Sequence, residues 1–460
     1  MTFDFLRPLA EAMAKKNGRL LLAGGVVRDH FLKLFRGMSQ ADEEKTDCDL
    51  AASGLGLEKI LEIAAGFGPA KIVRRRTCLD QARESALIQL KLNGKLLELS
   101  LVRGLPTGGD GLPDDALARD YTINAVYLDP LTDEALDPLG GLSDLKRGRL
   151  RLCRDQALAD DPLRMLRGMG LISRFDLSPA PQLLAAVKRD LNGLIRVPPD
   201  RFWPEWRKWA ASARPHLGLD FLEASGLLRF WPQLYVLKQT PQDPYFHPEG
   251  DVWRHTALAV KVMSELPLET ADRRIKLVLA ALLHDLGKPA VTTRHEGRWV
   301  SRRHAQAGLP PAEEFLRSIK APGQLIPPVL KLVGLHMDLK PQDVAPKALR
   351  RLARRLAPEC DLADYWALSV ADWNGRGPGL EPFPLSLTEF LAPAGNLARP
   401  RPPFLRGRDL MARFNLAPGP AMGRILRRLD EAADDGLVKD EPEALALAAR
   451  MIKEEAGRRP

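Results

Sequence analysis

The chain has 460 residues, 45% hydrophobic and 28% charged, which is too long for one hydrophobic core and predicts a protein of several packed units. Disorder, collagen-like repeats and coiled coil fit this composition poorly, and no stretch approaches the roughly 18 apolar residues of a membrane span. The net charge of +9 favours a polyanionic partner.

Residues 5–16 read as an amphipathic helix. Asp4, Arg7, Glu11, Lys15 and Lys16 interrupt the opening segment, so it lacks the layout of a secretory signal, and a cytoplasmic protein without a membrane partner is expected. A short apolar run, 20–23, ends at Gly24-Gly25 and leads into Val26-Val27-Arg28-Asp29, which predicts a strand, a glycine turn and a helix start. Further strands are predicted at 48–51, 86–92, 96–102 and 125–128, making the first ~147 residues α/β. After Arg149 apolar residues recur at helical spacing, as in Leu163, Leu166 and Met169 or Phe202, Trp206 and Trp209, and the rest of the chain is expected to be helical. Gly- and Pro-rich breaks at 240–251, 374–384 and 400–403 suggest divisions at 1–147, 148–240, 241–380 and 381–460. Cys48, Cys78, Cys153 and Cys360 form no CxxC pair and are expected to be reduced thiols.

Alternation along a strand puts Asp47 and Asp49 of Thr46-Asp47-Cys48-Asp49-Leu50 on one face, ~7 Å apart, a spacing suited to hard divalent cations. An isolated pair of this kind is more often an exposed edge or turn. Here a glycine turn precedes it, and Glu98 offers a third strand carboxylate.

The ordered motifs Gly24-Gly25-Val26-Val27-Arg28-Asp29, Asp47-Cys48-Asp49, Arg119-Asp120-Tyr121-Thr122-Ile123-Asn124-Ala125, Asp137-Pro138-Leu139-Gly140-Gly141 and Asp161-Pro162-Leu163-Arg164-Met165-Leu166-Arg167 resemble those of the class II tRNA nucleotidyltransferase and bacterial poly(A) polymerase family. The resemblance implies a polymerase-β-like α/β nucleotidyltransferase head followed by all-α neck, HD and tail domains. It also implies transfer of CMP and AMP from CTP and ATP to the 3′ end of tRNA or another RNA, with Mg²⁺ in the head. In that family Asp47 and Asp49 match the essential metal-binding pair and Glu98 the third carboxylate, with Arg103 five residues on. Gly24, Gly25, Arg28 and Asp29 match the nucleotide-binding turn, and Arg119, Asp120 and Asn124 match the motif that contacts triphosphate and sugar. Asp161 and Arg164, three apart on an expected helix, match the pair that reads the edge of the incoming base, with Arg167 one turn on.

Histidines cluster in the third quarter of the chain. His284-Asp285 follows the apolar helix 278–283, with His255 upstream and Asp372 downstream. This order resembles the HD phosphohydrolase superfamily and implies a divalent metal site of His255, His284, Asp285 and Asp372, with His304 and His336 where binuclear members carry further ligands. Basic stripes at Lys347, Arg350, Arg351, Arg354 and Arg355, and at Arg424, Arg427 and Arg428, are solvated faces or RNA contacts.

Three features depart from the family pattern: Ala118 stands where a first arginine is usual, Asp160 where Glu is usual, and the segment 104–118 is short. They leave open whether all of CCA, only CC or only A, or poly(A) is added. A remoter alternative is an HD phosphohydrolase whose head binds RNA without transferring nucleotides.

Overall fold

The computed structural model describes residues 3–38, 48–78, 83–101, 112–377, 379–393, 403–434 and 436–456. It falls into two compact units, Met1–Phe230 and Trp231–Pro460. No helix among the described residues is long and apolar enough to cross a membrane.

In the first unit α1 (Arg7–Ala14) precedes β1 (Arg19–Ala23), α2 (Gly25–Arg36), β2 (Cys48–Ser53), α3 (Leu57–Ala65), β3 (Ala70–Cys78), β4 (Arg83–Leu92), β5 (Lys95–Leu101), α4 (Leu112–Ala118), β6 (Tyr127–Leu128) and β7 (Ala135–Leu136). The strands form one mixed sheet in the order β3-β4-β5-β2-β1-β6-β7. Only the β2/β5 pair is parallel among these strands. Strand alternation gives each face its own role. Cys48, Leu50, Leu97 and Leu99 are buried on one side, while Asp49 and Glu98, partners across β2/β5, point to the other. On that other side Ala23, Ala51, Leu112, Ala116, Tyr127 and Cys153 form a small core.

The chain continues through α5 (Gly141–Arg147), β8 (Arg149–Leu150), α6 (Ala157–Asp160), α7 (Arg164–Phe175), β9 (Ser178–Pro179), α8 (Pro181–Asp190), α9 (Phe202–Ala210) and α10 (Pro215–Ala224). α7 packs on α9 and α10. Trp206 and Trp209 are fully buried in α9, and Trp209 Nε1 donates to Pro215 O at 2.8 Å, so the apolar payload of the indole is buried without an orphaned N–H.

The second unit is helical, with one hairpin. It comprises α11 (Pro232–Tyr235), α12 (Val252–Glu265), α13 (Ala271–Leu283), α14 (Lys288–Val291), β10 (Thr292–His295), β11 (Arg298–Ser301), α15 (His304–Ala307), α16 (Leu309–Ser318), α17 (Ile326–Leu335), α18 (Pro346–Leu356) and α19 (Leu362–Asn374). Asp251, Thr270 and Asp361 cap α12, α13 and α19 by accepting from Arg254 N, Arg273 N and Asp364 N, the N-cap signals that set where each helix starts. α12, α13, α17 and α19 pack together, with Leu277 to Leu283 of α13 wholly buried. After α20 (Leu387–Leu391), α21 (Gly407–Phe414), α22 (Pro420–Asp434) and α23 (Glu441–Ala456) enclose a separate core built on Leu410, Ile425, Leu429 and Ala448.

Candidate active sites

In the second unit His284 closes α13, His255 lies on α12, Asp372 on α19, and His304 opens α15. His255, His284, Asp285, His304 and His336 are all buried. Each imidazole is oriented from behind through Nδ1: His255 by Glu249 Oε1 at 2.8 Å, His284 by Ala281 O at 2.9 Å, His304 by Ser301 O at 2.8 Å and His336 by Val333 O at 2.7 Å. An Nδ1 facing an acceptor donates its proton, which leaves Nε2 as the lone-pair atom.

These Nε2 atoms converge. His255 and His284 are 3.3 Å apart, and His304 and His336 3.1 Å apart. Asp285 stands between the pairs, Oδ2 3.1 Å from His284 Nε2 and Oδ1 3.3 Å from His304 Nε2. Asp372 Oδ1 lies 3.1 Å from His255 Nε2. Lone pairs and carboxylates this close repel unless a proton or metal ion lies among them. The donor set, imidazole nitrogen and carboxylate oxygen, fits divalent transition metals, and two subsites bridged by Asp285 are available.

Electrostatics follow from this crowding. Burial pushes the His255 pKa down, but hydrogen bonds to Asp372 and Glu249 outweigh it and raise it to about 9. Burial, reinforced by the charges of His284 and His304, lowers His336 to about 4. Asp285 and Asp372 stay below the usual carboxylate range despite burial, because His284 and Lys288 surround the first and His255 and His284 the second. Lys288 Nζ bridges Asp285 Oδ2 at 2.6 Å and Gln242 Oε1 at 2.7 Å. A cleft of about 730 Å³ has Asp285, Asp372 and His304 in its lining, with Arg298, Lys340 and Arg376 among its cationic groups. Gly287 leans directly on the chain that carries His304: a Cβ there would sit 2.0 Å from His304 O and 2.5 Å from Gly308 N.

In the first unit Gly24, at φ +72°, turns the chain from β1 into α2 and faces Asp49, whose Oδ2 would be 2.4 Å from a Cβ at this position. Only glycine has both the conformation and the space. Asp49 and Glu98 stand side by side on their strands, with Gln89 Nε2 donating to Glu98 at 3.2 Å. Like charges opposite one another destabilise a sheet, and a hard cation relieves them. Asp47 and Arg103 lie outside the described residues.

A polar relay extends from the glycine turn. Arg28 binds Asp29 Oδ1 through Nε and Nη2 at 2.7 Å and donates to Asn124 Oδ1 at 2.9 Å. Asn124 Nδ2 donates to Asp120 Oδ1 at 2.9 Å, and Arg167 Nη1 to Asp120 Oδ2 at 2.8 Å. Arg119 is held by Asp115 at 3.0 Å and Tyr127 Oη at 3.1 Å. Gly25 opens α2. The expectation that Asp161 and Arg164 share a helix is corrected. Asp161 is extended at the end of α6 and binds Arg201 at 3.0 Å. Arg164 begins α7 and donates to the carbonyls of Ala118, Arg119 and Ala157. Pro162 between them favours an extended residue before it and breaks the predicted helix.

Residues 20–151 match the Poly A polymerase head domain and residues 252–373 the HD domain. An A-adding tRNA nucleotidyltransferase from Deinococcus radiodurans is 33% identical over 360 residues, covering 75% of this chain and 81% of that protein. The chain belongs to the tRNA nucleotidyltransferase and poly(A) polymerase family. A multifunctional CCA protein of Xanthomonas campestris pv. campestris is 34% identical over 278 residues, 58% of this chain and 65% of the relative. In fold, the chain is similar to the Bacillus stearothermophilus CCA-adding enzyme solved with CTP, with a TM-score of 0.61 and 18% identity over 99% of this chain and 100% of that one. This family member is therefore a nucleotidyltransferase with a polymerase-β-like head and an HD domain, as its motif order predicts.

Two residues of this nucleotidyltransferase's HD site, Glu249 and Lys288, carry no signal in the motif order. Glu249 orients both His247 and His255 at 2.8 Å, and the signal available for it was an acid in the His-Pro-Glu-Gly segment just upstream of His255. Lys288 is the second, four residues beyond His284, where a buried lysine needs an acid and finds Asp285.

Proposed function

We propose that this nucleotidyltransferase adds nucleotides to the 3′ end of tRNA and completes its CCA terminus. The observation that supports this most is Asp49 beside Glu98 on one sheet face, against the Gly24 turn. Asp47, two residues before Asp49, is assigned as its partner ligand. Magnesium bound by these carboxylates would activate the RNA 3′-hydroxyl and stabilise departing pyrophosphate. Arg28, ordered by Asp29 and Asn124, neutralises phosphate charge, and the amides of Gly25 and the first turn of α2 add donors. Arg119, Asp120 and Asn124 fix the triphosphate and sugar, and Arg167 braces Asp120. Asp161 and Arg164 read the base edge from two separate elements.

The second reading is addition of the terminal A alone. It is favoured by the A-adding relative that spans most of the chain; the short connection between Arg103 and Arg119 instead bears on the switch from C to A, and a product that stops after two cytidines would mark addition of CC alone. For the HD domain we assign His255, His284, Asp285 and Asp372, with His304 and His336, as a divalent-metal centre for phosphoester hydrolysis.

The test is incubation with Mg²⁺ and each labelled nucleotide, using tRNA ending before CCA, tRNA ending in CC, and an unstructured RNA. Ordered incorporation of C, C and A supports the leading reading. Incorporation of A onto the CC end only establishes the second, and long A tracts on unstructured RNA or no incorporation at all overturn both.

A further inference from the structure

We propose that Arg174 is a second phosphate-binding cation of the nucleotide site, presented beside Arg28 by the ring of Phe175. The inference rests on the reading of Arg28 as a phosphate ligand. α7 ends in Arg174-Phe175, and the turn that follows is fixed: Asp176 is left-handed at φ +53°, and Arg36 donates to Phe175 O at 2.8 Å and Asp176 O at 3.2 Å. The Phe175 ring is buried. Two guanidinium groups share it, Arg28 Cζ at 4.5 Å and Arg174 Cζ at 4.9 Å from its centroid.

The two cations are not equally neutralised. Arg28 has Asp29 at 2.7 Å and the Asn124 oxygen. Arg174 is partly buried and makes no ion pair or hydrogen bond among the described residues; its close partner there is the ring. A ring face attracts a cation but does not cancel its charge or satisfy its five N–H donors. Burial, followed by the positive charge of Arg28, lowers the Arg174 pKa against the opposing pull of Asp29 and Glu205, so the two guanidinium groups on the shared ring sense each other in a partly desolvated place. Such a pair is stable when an anion lies against both, and a guanidinium fork matches phosphate oxygens. The glycine turn opens α2 four residues before Asp29, so the anion that the reaction itself brings to Arg28 is the nucleotide triphosphate. Backbone phosphate of the RNA acceptor is the competing anion.

The experiment uses the full chain and steady-state addition of AMP to an RNA end, with KM for ATP and KM for the RNA measured separately for Arg174→Gln, Arg174→Lys and Arg28→Ala. The expected result for Arg174→Gln is a rise in the ATP KM of roughly 3- to 10-fold with kcat within about twofold, and for Arg174→Lys a smaller rise, since the charge is kept while the planar fork and its stacking on Phe175 are lost. The RNA KM stays unchanged. An unmoved ATP KM in Arg174→Gln, equal losses in the Gln and Lys variants, or a shift in the RNA KM instead overturns the proposal. If Arg28→Ala raises the ATP KM while Arg174→Gln does not, the proposal about Arg174 alone fails. If neither moves it, the reading of Arg28 fails as well.

Discussion

Glu249 serves two imidazoles at once, and its effect is felt at His255. Because His255 is held at about 9, the metal-free protein at neutral pH carries a proton where a metal ion would sit. The folded pKa is above the unfolded 6.5, so this proton stabilises the metal-free fold fully below about 6.5, and that contribution is lost as pH rises through about 9. Metal must displace it, so affinity for Mn²⁺ is expected to rise by up to about tenfold per pH unit between pH 6 and 9. Calorimetric titration at three pH values checks this; a flat affinity would show that His255 binds no ion. Arg164 presents a different balance. Its guanidinium rests on three carbonyls, so its direction is fixed before any nucleotide arrives. Arg164→Ala is expected to lose about 1–3 kcal/mol of discrimination between bases, measured as the ratio of kcat/KM for ATP and CTP, with a smaller effect on the rate with the better nucleotide.

At the scale of elements, β2 binds the sheet to the site: Leu50 is wholly buried while its neighbour Asp49 faces the glycine turn. Leu50→Ala is expected to cost about 2–5 kcal/mol by leaving a cavity in a central strand, read as a lower urea midpoint at constant slope. The central strands, the glycine turn and the buried α13 were legible in the sequence because apolar runs end there at glycine, aspartate or histidine. β3 was not, since Lys71 and the run Arg74-Arg75-Arg76 hide its alternation, and an edge strand has less need of an apolar pattern. The β10/β11 hairpin was missed for a similar reason: most of its residues are exposed. Its signal was Glu296-Gly297, both at positive φ (+49° and +80°), a two-residue turn of the primed kind. The strand predicted at 125–128 shrinks to Tyr127–Leu128 because a 3-10 turn, Thr122–Asn124, occupies the approach. That turn is what delivers Asn124 to Arg28.

At the scale of the whole molecule, the two candidate centres lie in different compact units, and their residues do not overlap. His284→Ala is expected to remove metal binding and phosphoester hydrolysis while nucleotide addition stays within about twofold; Asp49→Ala is expected to do the reverse. Assaying both activities on both variants decides the matter, and loss of both in either variant would mean that the centres depend on each other. Within the HD unit one contact reaches further than its size suggests. The absent side chain of Gly287 is what lets His304 approach Asp285, whereas His255, His284 and Asp372 are placed by other helices. A methyl group at Gly287 would act as a wedge beneath α15 alone, and Gly287→Ala is expected to lower the metal content from about two ions per chain to about one, with every ligand still in place in the sequence. That outcome would make nuclearity in this unit a property of backbone spacing, which a roster of donor residues does not record.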